Sequence, residues 1–275
     1  MERTFILGVG AQKAGTTWLS DYVRSDGRFV SGPLGKKELH IWDMLDIPNV
    51  SRKWRPISSC RTKDQVLLSV MREFPQYYFR YFSEILGNGG LAADVTPSYA
   101  GLSTRRLRYI NKNFKKHQVR VKLVFLMRDP VSRCVSAFNM NRRKVSVGEV
   151  KEGVRGDLDD DSSFLEYVKS DHCRIRTSYG STIQAITESF EPAQIGLFFY
   201  EKIFYERGLQ ELSDFLGTEN LSDRLQAVSN PGEGGSSLSD RALSGCADHY
   251  ADTYRTIGSL FPEATEFWGG YRYLE

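Results

Sequence analysis

At 275 residues, with 40% apolar and 26% charged content, the chain has the makeup of a globular domain with a sizeable core. A net charge of +3 is too small an excess to argue for nucleic acid, and no apolar run approaches the ~18 residues of a membrane span. Four cysteines (Cys60, Cys134, Cys173, Cys246) lack Cys-x-x-Cys spacing and read as thiols, neither a disulfide framework nor a zinc site.

Met1 to Thr4 leads straight into Phe5 to Val9, a short apolar run that reads as a buried strand. That start predicts a cytoplasmic protein without a signal peptide. The strand feeds Gly10-Ala11-Gln12-Lys13-Ala14-Gly15, and a helix is expected from Thr17 to Arg24. Phe29-Val30 reads as a brief strand. Residues 44–75 read as irregular or mixed, because Pro48, Pro56 and Pro75 interrupt any long element. The aromatic-rich segment Gln76 to Leu86 reads as a helix packed on the core.

Leu91 to Val95 is the next strand, followed by Thr96-Pro97-Ser98-Tyr99 and a basic helix from Arg105 to Phe114. Val121 to Met127 is apolar almost throughout, as a central parallel strand should be. Arg128-Asp129-Pro130 closes it, and a helix is expected from Val131 to Lys144. Residues 145–163 read as a mobile acidic insertion ending in Asp157-Leu158-Asp159-Asp160-Asp161. Helices are expected over Phe164 to Ser170, Thr177 to Phe190 and Ile203 to Leu216, with a strand at Gln194 to Tyr200. A Gly-rich loop, Gly232 to Ser237, precedes a last helix, Ser239 to Leu260. The order predicts one α/β domain over 1–275, with a P-loop-like three-layer fold around a mostly parallel sheet.

Charge is unevenly placed. Arg105 to Lys144 carries thirteen Lys and Arg against one acid, Asp129, and Glu149 to Glu166 carries seven acids against Lys151 and Arg155. Such runs are ordinarily solvated faces. In an open parallel sheet, however, ligands bind beyond the carboxyl ends of the strands. There the glycine loop lets backbone N–H groups converge on an anion at a helix start, with Lys13 adding a full charge. A Walker A loop would place Lys after the second glycine; here Thr16 holds that position and Lys13 lies inside the loop. Arg128, leaving the central strand, and Ser136, two helical turns on, can bracket a second phosphate. Two anion sites suit one dinucleotide-like ligand.

Gln12-Lys13-Ala14-Gly15-Thr16-Thr17-Trp18-Leu19 resembles the phosphosulfate loop of sulfotransferases that use 3′-phosphoadenosine 5′-phosphosulfate (PAPS). Arg128 and Ser136 resemble that family's site for the 3′-phosphate. Lys36-Lys37-Glu38-Leu39-His40-Ile41-Trp42-Asp43 and Thr96-Pro97-Ser98-Tyr99 are similar to segments of the heparan-sulfate (N-/3-O-) branch, and the chain resembles a soluble bacterial-type member of it. Motifs between Tyr179 and Gly217 continue the match.

The resemblance implies PAPS as donor, 3′-phosphoadenosine 5′-phosphate (PAP) as product and no metal. It implies that Gln12 to Trp18, Arg128 and Ser136 bind the donor, with Lys13 on the leaving-group side and Thr16 and Thr17 on the 5′-phosphate. Glu38 is the expected general base, with a raised pKa, and His40 the alternative, unless His40 orients Asp43 or Thr96. Lys37, His40, Thr96, Ser98 and Tyr99 are expected to meet the acceptor, with Lys37 turned away from Glu38 toward substrate or sulfate. The family's basic C-terminal closing loop is missing: Asn230 to Ser239 has no Lys or Arg, leaving Arg241 as a substitute.

The acidic insertion, if it overhangs the acceptor site, favours a neutral or cationic small acceptor; otherwise it is a solvated loop. A small intracellular molecule sulfated on a hydroxyl or amine is the expected acceptor, with a glycan the alternative. No nucleic-acid or membrane partner is expected, and the sequence leaves the oligomeric state open. The rivals are a P-loop kinase binding ATP and Mg²⁺, and a non-catalytic nucleotide-binding protein.

Overall fold

The computed structural model describes residues 2–51, 56–146, 159–219 and 238–274. The first apolar run forms β1 (Arg3–Gly10), followed by α1 (Thr16–Ser25), α2 (Trp42–Asp46), α3 (Pro48–Ser51), α4 (Lys63–Glu73) and α5 (Gln76–Leu86). Next come β2 (Gly90–Val95), a 3₁₀ turn (Pro97–Gly101), α6 (Thr104–Lys116), β3 (Arg120–Met127) and α7 (Pro130–Ser146). Then α8 (Asp160–Lys169), α9 (Asp171–Arg174) and α10 (Tyr179–Thr187) lead to β4 (Ile195–Phe199). The chain continues through α11 (Glu206–Leu216), α12 (Asp240–His249), α13 (Ala251–Leu260) and α14 (Ala264–Phe267).

The sheet is parallel throughout, in the order β2-β1-β3-β4. Leu7 of β1 lies opposite Asp94 of β2 on one side and Leu123 of β3 on the other. Phe5 to Leu7 and Leu123 to Met127 are fully buried, which is why β1 and β3 read as continuous apolar runs. Helices cover the sheet, so the α/β architecture expected from the sequence holds. The aromatic stripe of α5 packs on β1: Phe5 lies 4.5 Å from Phe82 and 4.3 Å from Phe114 of α6, ring centre to ring centre. Each such buried ring contributes roughly 1.5–3 kcal/mol.

Several elements differ from expectation. Phe29-Val30 makes only an isolated bridge, Phe29 to Leu91. Residues 44–75 hold a regular helix, α4, between Pro56 and Pro75, started by Thr62, whose hydroxyl accepts from the Gln65 amide at 3.2 Å. The last predicted helix is two helices, divided at Tyr250 (φ −107°, ψ 21°). Within the expected acidic insertion, α7 runs on to Ser146 and α8 starts at Asp160, with Asp159 as its cap accepting from Ser162 N at 2.9 Å. Residues 147–158 of that stretch, and Gly232 to Ser237, lie outside the described residues. Among the described residues no helix is long and apolar enough to cross a membrane.

Candidate active site

All four strands end on one edge of the sheet, and the segments that follow them line a single open pocket of ≈ 190 Å³. Gln12, Lys13, Gly15, Thr16, Thr17 and Trp18 come from the turn after β1 and the start of α1. Pro97 follows β2, Arg128 and Ser136 follow β3, and Tyr200 and Phe204 follow β4. Lys37 and Glu38 complete the wall.

The loop after β1 needs left-handed backbone at Lys13 (φ 70°) and at Gly15 (φ 86°), the residue capping α1. Glycine suits the second position doubly, because a Cβ there would lie 3.1 Å from the Tyr200 ring. No side chain caps α1, so its first-turn N–H groups face the pocket end of the helix, the polarity that attracts an anion. Burial, and then the charges of Arg143, Arg128, Lys144 and Lys37, hold the Lys13 ammonium below the ordinary lysine range. Several cations gathered around one half-buried ammonium mark a site suited to a polyanion.

Arg128 joins the two expected anion sites. Its Nη1 donates to the Lys13 carbonyl at 2.9 Å, and its guanidinium carbon sits 4.4 Å from the Tyr200 ring centre. Its own carbonyl accepts from the Tyr179 hydroxyl at 2.7 Å. Asp129 is buried and its carboxylate is committed: it accepts from Val131 N at 3.1 Å, Ser132 Oγ at 3.2 Å, Gly270 N at 3.0 Å and the Tyr254 hydroxyl. It ties the C-terminal segment to the start of α7, which is a structural duty and not a magnesium ligand's.

From the same pocket a line of charges runs inward. Lys37 Nζ lies 3.1 Å from Glu38 Oε1, Glu38 Oε2 lies 3.2 Å from His40 Nε2, and His40 Nδ1 lies 2.6 Å from Asp43 Oδ2. Asp43 is fully buried and also accepts from the Ser98 hydroxyl. Burial alone would lower the His40 pKa, but the Asp43 and Glu38 carboxylates push it up to about 9. Both ring nitrogens of His40 thus meet carboxylates, and that pairing favours the charged imidazolium. Burial works to raise the Glu38 pKa, but His40 and Lys37 together hold it below the usual glutamate range.

Three expectations are corrected by these contacts. Lys37 does not turn away from Glu38: it pairs with it while also donating to Thr17 Oγ1 at 2.9 Å and Thr16 Oγ1 at 3.4 Å. The Glu38 pKa is lowered, not raised, for that reason. Thr96, Ser98 and Tyr99, at 0%, 3% and 1% exposure, are buried and give their hydroxyls to Asp94 and Asp43 instead of an acceptor. Among the described residues of the expected overhang, Asp159 caps α8, Asp160 pairs with Arg142 at 2.6 Å, and Asp161 accepts from Ser239 N at 3.0 Å. Arg241, on α12, does not line the pocket.

The model of the sulfotransferase domain family matches residues 3–230. The chain belongs to the sulfotransferase domain family. Membership makes sulfuryl transfer the activity that this pocket's charges are to be read against. Among solved structures the chain is similar to a sulfotransferase from Alicyclobacillus acidocaldarius, with 15% identity over 95% of this chain and 97% of that one, TM-score 0.60. It is also similar to a sulfotransferase domain from the curacin biosynthetic pathway, with 17% identity over 94% and 97%, TM-score 0.53. At such identities the likeness speaks for the fold. A search of curated protein sequences finds no match.

Tyr200, Phe204 and Asp94 were not singled out as site residues by sequence reasoning, whereas Asp43 was named as a group for His40 to orient and meets its Nδ1 at 2.6 Å. The first two could have been, since they directly follow an expected strand and so fall on the ligand-binding edge. Asp94 acts through buried contacts that leave no local pattern.

Proposed function

We propose that this sulfotransferase takes its sulfuryl group from PAPS and passes it to a hydroxyl or amine of a small intracellular acceptor, with Glu38 as general base. The observation that carries this reading is the joining of Lys13 and Arg128 in one pocket, with Glu38 on its wall. Four cations on that wall or beside it (Lys13, Lys37, Arg128, Arg143), together with the uncapped start of α1, fit a bis-phosphorylated nucleotide. When bound, PAPS supplies a sulfuryl group attached to a phosphate leaving group.

The loop amides, Gln12, Thr16, Thr17 and Lys13 would hold the 5′ end, the Lys13 ammonium countering charge that grows on the leaving phosphate. Arg128 and Ser136 would hold the 3′-phosphate, and Trp18, Tyr200 and Phe204 offer ring faces to the nucleoside. Lys37 bridges the phosphate-loop hydroxyls and Glu38, so an anion at the loop competes with Glu38 for its charge. Freed of Lys37, Glu38 Oε1 becomes the more basic oxygen and receives the acceptor's proton. His40 and Asp43 keep the carboxylate in place.

The motifs resembling the heparan-sulfate branch meet in space through the contact of Ser98 with Asp43, which supports reading residues 37–43 and 96–99 as one unit. A glycan acceptor is the second reading; the pairing of Asp160 with Arg142 and of Asp161 with Ser239 weakens the argument from an acidic overhang against it. Calorimetric titration with PAP, PAPS-dependent label transfer to a panel of phenols, alcohols, amines and oligosaccharides, and competition with ATP–Mg²⁺ test the proposal. Preference for ATP–Mg²⁺ over PAP would return the chain to the kinase reading.

A further inference from the structure

We propose that Asp94, which does not touch the pocket, is the positioning residue of the base: through two hydroxyl relays it fixes the backbone on either side of His40 and so sets the line Glu38–His40–Asp43. The inference rests on the transfer centre proposed above.

Asp94 sits near the end of β2 and is fully buried. Its Oδ1 accepts from Thr96 Oγ1 at 2.6 Å, and that hydroxyl in turn accepts from Leu39 N at 3.1 Å; Leu39 N also approaches Oδ1 directly at 3.4 Å. Its Oδ2 accepts from the Tyr99 hydroxyl at 2.9 Å, which accepts from Ile41 N at 3.1 Å, and from the Tyr78 hydroxyl at 2.9 Å. The amides of Leu39 and Ile41 thus both end on one carboxylate, and the residue between them is His40.

That arrangement matters because residues 36–40 belong to no helix or strand, and His40 holds a left-handed backbone (φ 52°), a conformation disfavoured for a residue with a Cβ. The hydrogen bonds around it hold that conformation. Arg72 adds to the grip from α4, donating to the carbonyls of His40 and Leu39 at 3.2 Å each. Every group facing Asp94 donates, so only a carboxylate accepts from all of them; an asparagine would turn a donor toward Thr96 or toward the two tyrosines. A polar residue that merely satisfied the core would lower stability when replaced and leave the charge line untouched.

The test reads His40 itself and needs no acceptor. The groups facing its ring are Glu38, Asp43 and Ser98 Oγ, the last at 3.5 Å from Nδ1, with the Arg72 guanidinium on its carbonyl. An NMR titration of the four histidines, with His40→Gln to assign the signal, should show His40 titrating near 9 in the parent protein. In Asp94→Asn and in Tyr99→Phe it should fall toward the ordinary histidine value, while PAP affinity changes by less than about twofold. Tyr99→Phe keeps the Asp94 charge and breaks only the relay to Ile41, so it separates lost position from lost charge, and it decides alone if Asp94→Asn fails to fold. A folded Tyr99→Phe protein with an unmoved His40 titration overturns the inference, as does a tenfold or larger loss of PAP affinity, which would place Asp94 under the whole pocket. Absence of PAP binding in the parent protein would sink the transfer reading instead and leave the His40 readout standing.

Discussion

Lys37 Nζ lies 3.1 Å from Glu38 Oε1 and 2.9 Å from Thr17 Oγ1, so a single ammonium links the Glu38 carboxylate to the start of α1. Removing it with Lys37→Met takes away one of the two groups that hold the Glu38 carboxyl below its usual range. The pKa of Glu38 then rises, and the acid limb of the rate profile moves to higher pH. Transfer at neutral pH should also fall, because the same charge serves the donor side. Measurement of kcat against pH checks this; an acid limb that stays put means Lys37 does not govern the base.

Glu38→Gln keeps the shape of the wall and removes the proposed proton acceptor. Transfer should drop by ~10²–10⁴-fold, the usual contribution of a positioned base, with PAP affinity within about twofold of the parent protein. Rate and calorimetric measurements on the same preparation separate the two. Undiminished transfer would require another base, with His40, whose ring nitrogens meet Glu38 and Asp43, as the alternative to test next.

What the sequence made legible were features set by local backbone chemistry. The apolar runs of β1 and β3, the glycine turn and the α5 stripe each announce themselves within a dozen residues, and so do Lys13 and Arg128. Helix α4 lies between Pro56 and Pro75, which bound it but do not break it, and Thr62 with Gln65 carries its start signal. The division at Tyr250 has no glycine or proline to mark it. In the site, the orientation of Lys37 and the web on Asp94 depend on side chains brought together by the sheet: Asp94 meets Leu39 from 55 positions away. No spacing rule reaches that far.

The Arg128 guanidinium, proposed above to hold the 3′-phosphate, also donates to the carbonyl of Lys13. Arg128→Ala should therefore weaken PAP by on the order of 10–100-fold, the scale of a hydrogen bond to a charged group. AMP, which lacks the 3′-phosphate, should lose far less. Parallel titrations with the two nucleotides make the comparison, and equal losses would move the 3′-phosphate away from Arg128.

His40 supplies a pH dependence of stability with a definite sign. Its pKa rises from an ordinary 6.5 to about 9 in the folded state, because the Asp43 and Glu38 carboxylates outweigh its burial. The folded chain holds a proton that the unfolded chain releases between those values. Stabilisation from the charged ring is therefore complete below pH 6.5 and lost as the pH climbs through 9. Denaturant titrations across pH 6 to 9.5 should show the parent protein weakening over that window, and His40→Gln should flatten the decline. Because the ring is 35% exposed, solvent screening keeps the effect small, and its direction is the decisive reading. A parent protein that grows more stable across the same window would mean the ring is not held as a cation between Glu38 and Asp43.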